Sequence, residues 1–447
     1  MYPTNSPSCG RSRSCFVLLP TLHMGHWADS MKDKNDELSS RVAFSYPNFQ
    51  KFMVARFLTT IASEMQSVAV GWQIYETTHR PLDLGLAGLA QFLPGMCLFL
   101  VAGHAADRFP RPKILQICYA CFALCSALLL AYTLFGFRST FLIYAVLLLN
   151  GTVRAFNAPA SQSIIPNLVA KEHFPNAIAW SSSILQTATI AGPMVGGLLY
   201  GITGRPVPVY ASSCVAYIVA SGLLNSVRIA HVERARETVV GNYVVLEGLR
   251  YIWKNKLILG AMSLDLFAVL LGGAVALLPV YAREILGVGA IGLGILRSAP
   301  GVGAVLMGLA LAHRPLQRRA GPAMFICVAA FGLFTIVFGV SHNVTLSVLS
   351  LLCAGAADTV SVIVRHTIIQ LSTPDDMRGR VSAVNMVFIG ASNEVGQFES
   401  GLTAQWLGTV PAVLLGGIGT ILITGLWTVL FPQIRELDRL VPEDVRK

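Results

Sequence analysis

The stretch PAMFICVAAFGLFTIVFGV, which runs from Pro322 to Val340, contains no charged side chain and a single hydroxyl group, that of Thr335. A helix that crosses the ~30 Å hydrocarbon core of a bilayer needs ~20 mostly apolar residues, and it satisfies its own backbone hydrogen bonds in lipid. Eleven more stretches of similar length and composition lie between Phe52 and Phe431. The sequence therefore predicts an all-α membrane protein with twelve transmembrane helices.

The twelve stretches form two groups of six, separated by a polar link. The first group is Phe52–Tyr75, Asp83–Ala106, Lys113–Phe135, Thr140–Ile164, Asn176–Tyr200 and Val207–Ser226. The second group is Leu257–Tyr281, Ile291–Ala312, Pro322–Val340, Val344–Leu371, Val381–Leu407 and Thr409–Phe431. We therefore predict a six-helix bundle over residues 51–227, an amphipathic linker over 228–256, a second bundle over 257–434 and a tail over 435–447.

Residues 1–50 differ in composition from the rest of the chain. They are rich in Ser and Pro, contain the charged run from Lys32 to Glu37, and have no apolar periodicity. Segments that cannot bury enough apolar surface to offset their conformational entropy stay disordered. We expect a disordered cytoplasmic segment here.

The distribution of charge predicts the orientation of the chain. Only 13% of the residues are charged, whereas a soluble domain carries about 25%. With both termini and the even-numbered connections on one side, that side holds 25 of the 33 Lys and Arg residues, and the opposite side holds four. Cytoplasmic loops are enriched in Lys and Arg, so both termini and the linker are expected in the cytoplasm. The net charge of +10 then reflects topology, and no nucleic-acid partner is expected.

The sequence lacks the residues that several other functional classes of protein require. No Gly-Lys pair occurs, so the phosphate-binding loop of an ATP-driven pump is missing. Cys118, Cys121 and Cys125 recur at helical spacing, which favours one packing face, because a structural metal site needs a closed tetrahedral set of ligands. We expect no metal, no cofactor and no enzyme activity.

The two groups of stretches resemble each other. A shift of 204 residues places Gly151 on Gly355 and Gly192 on Gly396, and it preserves the order and direction of the spans. Parallel repeats of this kind, related by an axis along the membrane normal, are the way in which one large class of transporters is built.

The connection after the second span reads GHAADRFPRPK, from Gly103 to Lys113. It is similar to the signature loop of the major facilitator superfamily, in which a Gly is followed by an acidic residue, a Gly and several basic residues. The matching positions are Gly103, Asp107, Arg108 and Arg111. Pro110 stands where the second Gly is usual. The resemblance extends over Tyr46–Leu437 and implies two pseudo-symmetric six-helix bundles.

The fifth span contains AGPMVGG, from Ala191 to Gly197. It resembles the Gly-Pro-x-x-Gly-Gly element in the fifth helix of proton-driven exporters of the superfamily. The matching residues are Gly192, Pro193, Gly196 and Gly197. A proline removes a helical hydrogen bond and glycines let helices approach closely, so the element predicts a kinked contact surface. Ordinary small-residue packing of helices is the alternative. The stretches Met65–Tyr75 and Arg378–Ala383 look most like the enterobactin-exporter-like branch, the transmembrane secretion effectors.

Ionisable groups inside a membrane cost at least ~2.5 kcal/mol each, which makes them candidates for function. In the superfamily that the chain resembles, the first, fourth, seventh and tenth spans line a central cavity. The candidates for proton coupling are Glu64, Asp265, Asp358 and Glu394. The candidates for the substrate cavity are Gln66, Arg154, Arg365 and Tyr75. Each has the alternative of a structural role, in which it pairs with a neighbour or reaches the membrane surface.

Glu64 is the leading candidate for proton coupling because it lies near the middle of the first span, and Asp265 is the second. The 204-residue shift superposes Arg154 on Asp358, from which we hypothesise that these opposite charges pair in at least one state.

The resemblance implies a monomeric exporter in a bacterial inner membrane. We expect it to move a small amphiphilic molecule, a siderophore or a drug-like compound, outward by alternating access against inward proton flow. Its partners would be the substrate, protons and the bilayer. A proton-coupled importer or uniporter is the first alternative, and a non-transporting scaffold or receptor on the same fold is the second.

Overall fold

The computed structural model describes residues 41–137, 139–227, 242–314, 316 and 318–438, and this part of the chain contains helices and connections but no strand. The long helices of the first half are α1 (Pro47–Thr78), α2 (Pro81–Arg108), α3 (Arg111–Leu134), α4 (Thr140–Ser163), α5 (Phe174–Thr203) and α6 (Val207–Asn225). Those of the second half are α7 (Lys256–Leu271), α8 (Gly289–His313), α9 (Ala320–Val340), α10 (Val344–Ser372), α11 (Asp375–Leu407) and α12 (Thr409–Leu430). The linker helix, Asn242–Lys254, precedes α7.

Nine helical segments among the described residues are long and apolar enough to cross a membrane. The long helices outside this set are α1, α5 and α11. The sequences of α1 and α11 are more polar, since α1 contains Glu64 and α11 contains Glu394 and Glu399. In α5 the apolar run is interrupted by Ser, Thr and Gly. The fold is therefore that of an all-helical membrane protein. The count of twelve spans stays a prediction.

The two halves pack their helices by the same scheme. In the first half α4 crosses α2 at Gly151, where an added Cβ would contact the backbone of Gln91. In the second half α10 crosses α8 at Gly355, where an added Cβ would contact the backbone of Pro300. Gly151 and Gly355 are the residues that the 204-residue shift superposes, and each lets two backbones meet without an intervening side chain.

The seventh predicted span, Leu257–Tyr281, is not one continuous α-helix. α7 ends at Leu271, and a 3₁₀ turn, a short helix and the π-helical turn Tyr281–Ile285 follow. The break falls at Gly272 and Gly273. A Cβ at Gly273 would lie 2.6 Å from the carbonyl oxygen of Gly396 on α11, so glycine is required for this close approach. A hydropathy pattern detects the apolar run but not this contact.

We predicted that the folded part of the chain begins after residue 50, but in the structure it begins earlier. Val42–Ser45 forms a 3₁₀ turn and α1 begins at Pro47. The backbone N–H of Ala43 donates to Asn176 Oδ1 at 3.2 Å, and the ring of Phe44 packs edge-on against Trp180. These contacts with α5 stabilise a segment whose sequence alone has no periodicity. The rest of the expected disordered segment, residues 1–40, lies outside the described residues.

The linker helix packs against the second half. Glu247 forms an ion pair with Arg380 at 2.9 Å, and the Tyr251 hydroxyl donates to the carbonyl oxygen of Ser372 at 3.0 Å. Ile252 is buried, whereas Trp253 is exposed. One face of the helix therefore contacts α10 and α11 and the other faces outward.

Candidate substrate cavity

The two halves meet closely at one end of the molecule, which we name the closed end. α5 crosses α8 there, so that a Cβ at Gly197 would lie 2.8 Å from Cα of Gly294. α2 crosses α11 there, so that a Cβ at Gly401 would lie 3.1 Å from Cα of Gly85. The predicted Gly-Pro element therefore includes a contact between the halves. Bulkier residues at these crossings would hold the halves apart.

Two side-chain contacts join α1 to the π-helical turn at the closed end. The Tyr75 hydroxyl donates to Glu284 Oε1, and the guanidinium carbon of Arg283 lies 6.0 Å from the centre of the Trp72 ring. Tyr75 is buried at this contact. The sequence predicts Tyr75 as a residue of the substrate cavity, but its hydroxyl connects the two halves.

The opposite end is more open. A Cβ at Gly103 on α2 or at Gly308 on α8 would have no neighbour within 4 Å among the described residues. Gly103, a position of the signature loop, therefore makes no close helix crossing among the described residues in this state. Arg111, at the start of α3, donates to the backbone carbonyl of Ser163 and thereby connects α3 to the end of α4. Arg108 is exposed. The side chain of Asp107 lies outside the described residues.

A cavity of about 170 Å³ lies between the halves, below the closed end. Its walls come from α1, α2 and α4 of the first half and from α8, α11 and the segment after α7 of the second. This volume is close to that of a cavity that takes up one benzene molecule. It is smaller than the several hundred Å³ of sites for drug-sized ligands. The cavity must therefore widen before it can hold a larger solute.

Four charged side chains line this cavity, and each half contributes an acid and a base. Glu64 on α1 and Arg154 on α4 come from the first half, and Arg297 on α8 and Glu394 on α11 come from the second. Gln66 also lines it, and its Oε1 accepts from the buried Ser126 hydroxyl at 2.5 Å. Four of the predicted candidates, Glu64, Gln66, Arg154 and Glu394, therefore line one cavity.

Three of the four charged groups of the cavity form hydrogen bonds with neutral side chains. Arg154 Nη1 donates to Gln91 Oε1 at 3.1 Å, and Arg297 Nη2 donates to Ser67 Oγ at 2.7 Å. Glu394 Oε2 accepts from Gln397 Nε2 at 3.2 Å. Both guanidiniums also act electrostatically on Glu394. The Arg297–Ser67 bond and the Arg154–Glu394 interaction each cross from one half to the other.

The Gly-Pro element of α5 supports the wall that carries Glu64. A Cβ at Gly192 would contact Cβ of Glu64, and a Cβ at Gly196 would lie 2.7 Å from Cα of Met65. Pro193 lies between them, inside α5. The small residues therefore bring α5 against α1 directly behind a charged side chain of the cavity.

Three other candidates lie apart from the lining of this cavity. Asp265 and Arg365 form an ion pair with each other between α7 and α10, and both are buried within the second half. Asp358 on α10 is also outside the lining. The hypothesised pair of Arg154 with Asp358 is absent among the contacts of the described residues, since Arg154 binds Gln91 of its own half.

Sequence reasoning did not select several polar residues that line the cavity. Gln91, Asn150 and Gln397 are the clearest cases. Arg297 also lines the cavity; as an ionisable group inside the eighth span it is a candidate from the sequence, with a structural role as the equal alternative. A shift of 206 residues superposes Gln91 on Arg297, so the internal repeat is a signal that points to Gln91.

Comparison with known proteins agrees with this architecture. Residues 39–444 match the family described as transmembrane secretion effector. The chain is 26% identical over 345 residues to the enterobactin exporter EntS of Shigella boydii serotype 4 (strain Sb227), covering 76% of this chain and 81% of that protein. It is 25% identical over 345 residues to EntS of Escherichia coli O81 (strain ED1a), again covering 76% of this chain and 81% of that protein.

Solved transporters share the fold at low sequence identity. A bacterial homologue of the human lysosomal transporter Spinster, inward-facing and unoccupied, superposes with a TM-score of 0.65 at 13% identity, over 87% of this chain and 95% of that one. A bacterial homologue of the iron transporter ferroportin, in its inward-facing state, superposes with a TM-score of 0.62 at 14% identity. The superposition covers 87% of this chain and 98% of that one. The predicted resemblance is confirmed: the chain belongs to the transmembrane secretion effector family of the major facilitator superfamily, and it is a membrane transporter rather than an enzyme.

Proposed function

We propose that the chain is a secondary active exporter that moves a small amphiphilic molecule, a siderophore or a drug-like compound, outward by alternating access. The observation that carries this proposal is the cavity between the halves, in which Glu64 and Arg154 of one half meet Arg297 and Glu394 of the other. Charged groups at membrane depth are costly and are retained where they bind or move solutes. A scaffold on this fold would have no use for them, whereas a receptor would use them to bind its ligand, so transport itself has to be measured.

The fold that we propose has twelve transmembrane helices in two pseudo-symmetric six-helix bundles. The charge distribution supports a bacterial inner-membrane orientation with both termini in the cytoplasm, because 25 of the 33 Lys and Arg residues then lie on the cytoplasmic side. In that orientation the closed end faces outward and the open end faces the cytoplasm. This state would take up solute from the cytoplasm, as an exporter must, and a monomer contains the whole cavity.

Inward proton flow is the proposed energy source. Antiport needs a carboxyl group that is protonated when it faces one side and ionised when it faces the other. Glu64 is our candidate because it lines the cavity and packs against the Gly-Pro element, so that movement between the halves alters its surroundings. Asp265 is the second candidate, and its partner Arg365 would have to move away before it could take up a proton.

The test uses everted membrane vesicles and enterobactin, the solute that names the relatives, beside a panel of drug-like amphiphiles. We expect that one of these compounds releases protons from vesicles that contain the protein, and that Glu64→Gln abolishes this release while the compound still binds. Glu399→Gln is the matched control, since Glu399 lies on α11, accepts from the Thr403 hydroxyl at 2.8 Å and does not line the cavity.

The same measurements separate the alternatives. Accumulation of a compound inside intact cells that contain the protein would indicate an importer. Flux that is unaffected by the pH gradient in the unmodified protein would indicate a uniporter. Absence of movement for every compound of the panel would favour the scaffold or receptor. Unchanged proton release in Glu64→Gln, with loss in Asp265→Asn, would transfer the coupling role to α7.

A further inference from the structure

The two arginines of the cavity are placed as a pair. Arg154 belongs to the first half and Arg297 to the second, and each is held by one neutral acceptor, Gln91 and Ser67 respectively. Neither guanidinium lies within 4.0 Å of a carboxylate oxygen among the described side chains. A guanidinium has five N–H donors in a planar fork, so most donors of both remain available to a ligand.

Glu394 occupies the electrostatic field of this pair. Both guanidiniums act on its carboxylate, while its direct hydrogen bond comes from the neutral amide of Gln397 at 3.2 Å. The Glu394 carboxylate therefore lies near two guanidiniums without a direct bond to either. The carboxylate of a ligand can displace it from this position. The planar, bidentate match between guanidinium and carboxylate would then favour the incoming group.

The rest of the lining argues against an organic cation. Recognition of organic cations commonly uses the faces of aromatic rings. The residues that line the cavity include no aromatic side chain among those described, and their apolar members are aliphatic, such as Val70, Leu84, Leu147 and Val275. Amides and hydroxyls supply most of the remaining polar surface, which suits a polar ligand that accepts hydrogen bonds.

We propose that the cavity binds small organic acids, whose carboxylate or comparable planar oxyanion takes contacts with both Arg154 and Arg297 in place of Glu394. This inference rests on the proposed function and names the substrate class. Because the two arginines belong to different halves, a bound anion bridges them, and rearrangement of the halves must change its contacts. Glu394 then competes with the substrate, which distinguishes this arrangement from one in which acidic residues attract a cation.

The test measures binding to the purified full-length protein, with no membrane gradient. The probes are benzoate, benzamide and benzylammonium, which match in size and differ in charge, at constant ionic strength. The concentration dependence of the melting temperature gives an apparent Kd, because a ligand that binds the folded protein stabilises it. We expect benzoate to bind, and benzamide and benzylammonium to bind at least about tenfold more weakly, since a hydrogen bond to a charged group contributes that much.

Substitutions of the arginines and of Glu394 should change the affinity for benzoate in opposite directions. Arg154→Gln and Arg297→Gln should each weaken benzoate binding about tenfold or more. Glu394→Gln should strengthen it, because the internal competitor is lost. Arg314→Gln, at an exposed position outside the cavity, is the control and should change nothing. A variant is included only if its melting without ligand shows that it is folded. Where an Arg→Gln variant is not folded, the Arg→Lys variant takes its place.

Two results would overturn the inference. One is tighter binding of benzylammonium than of benzoate, with loss of binding in Glu394→Gln. The other is no effect of benzoate at any concentration on the folded, unmodified protein. Neither result depends on the direction or energy source of transport. The organic-acid site can therefore be wrong while the exporter proposal holds, and the exporter proposal can be wrong while the site holds.

Discussion

Arg365 on α10 forms an ion pair with Asp265 on α7, and both side chains are buried within the second half. Two charges are removed from water here, and their attraction offsets that cost only while they stay together. The pair therefore connects α7 to α10 inside one half. The segment that continues from α7 reaches the closed end, where Glu284 contacts Tyr75 of the first half. Movement of the second half should accordingly carry this segment with it.

The first prediction concerns the stability of this pair. Asp265→Leu should lower the stability of the folded protein by about 3–5 kcal/mol, because it leaves the buried Arg365 charge without its partner. Asp265→Leu combined with Arg365→Met should recover most of the loss, since two apolar side chains need no compensation. Thermal unfolding of the purified protein in detergent is the measurement.

Asp375→Asn is the control for this prediction. Asp375 pairs with Arg378 at 2.7 Å, but its side chain is 89% exposed. Exposed pairs contribute about 0–1 kcal/mol, so little change is expected. A double variant that melts no higher than the single Asp265→Leu would contradict the role assigned to the pair.

Much of the helical frame follows from the sequence because lipid imposes a simple length and composition rule. The fourth span was predicted as Thr140–Ile164, and α4 is Thr140–Ser163. The interruption of the seventh span was missed, although Gly272 and Gly273 stand inside it. Their effect depends on the close approach of α11, which is a tertiary contact and leaves no trace in hydropathy.

The site was harder to predict because an apolar helix does not show which of its faces turns inward. Glu64 and Arg154 line the cavity, whereas Asp265 and Arg365, equally isolated among apolar residues, face each other instead. The arrangement of neighbouring helices decides between these outcomes. Arg297 and its neighbours complete the cavity from the second half, and only the packing of the two halves places them there.

The second prediction concerns the crossing of α5 and α8. Gly197→Val should abolish transport, because even its Cβ would lie 2.5 Å from the carbonyl oxygen of Ala290 and the closed end could not form. Gly222→Val is the matched control: it is the same change on α6, where a Cβ has no neighbour within 4 Å in the part of the chain that the structure describes. Initial rates of transport for the two variants, at equal amounts of protein in the membrane, make the comparison. Equal rates would show that the crossing at Gly197 is not required.

The third prediction concerns orientation. A reporter enzyme that is active only outside the cytoplasm, fused after Lys447, should be silent, because most Lys and Arg residues lie on the side of the termini. The same reporter inserted after Gly136, between α3 and α4, should be active. A signal from the fusion after Lys447 would reverse the assignment of the closed end to the outer face.

The fourth prediction concerns the bond between Tyr75 and Glu284. Tyr75→Phe keeps the buried ring but removes the hydroxyl that donates to Glu284, so the closed end should open more often. A hydrogen bond to a charged group contributes about 1.5–3 kcal/mol, which corresponds to about tenfold or more in the population of the opened state. The measurement is labelling of Ala87→Cys, a cavity position on α2, by a membrane-impermeant maleimide added outside the cell.

All nine native cysteines are replaced by alanine in that experiment, so that labelling reports Ala87→Cys alone. Tyr210→Phe is the matched control, because the Tyr210 hydroxyl donates to Gln73 Oε1 at 2.6 Å and both residues belong to the first half. It is the same chemical change in a bond that does not join the halves. If the Tyr75–Glu284 bond holds the closed end, Tyr75→Phe and Glu284→Ala, which removes the acceptor, accelerate labelling and Tyr210→Phe does not. Equal labelling in all three variants would mean that the glycine crossings alone close this end.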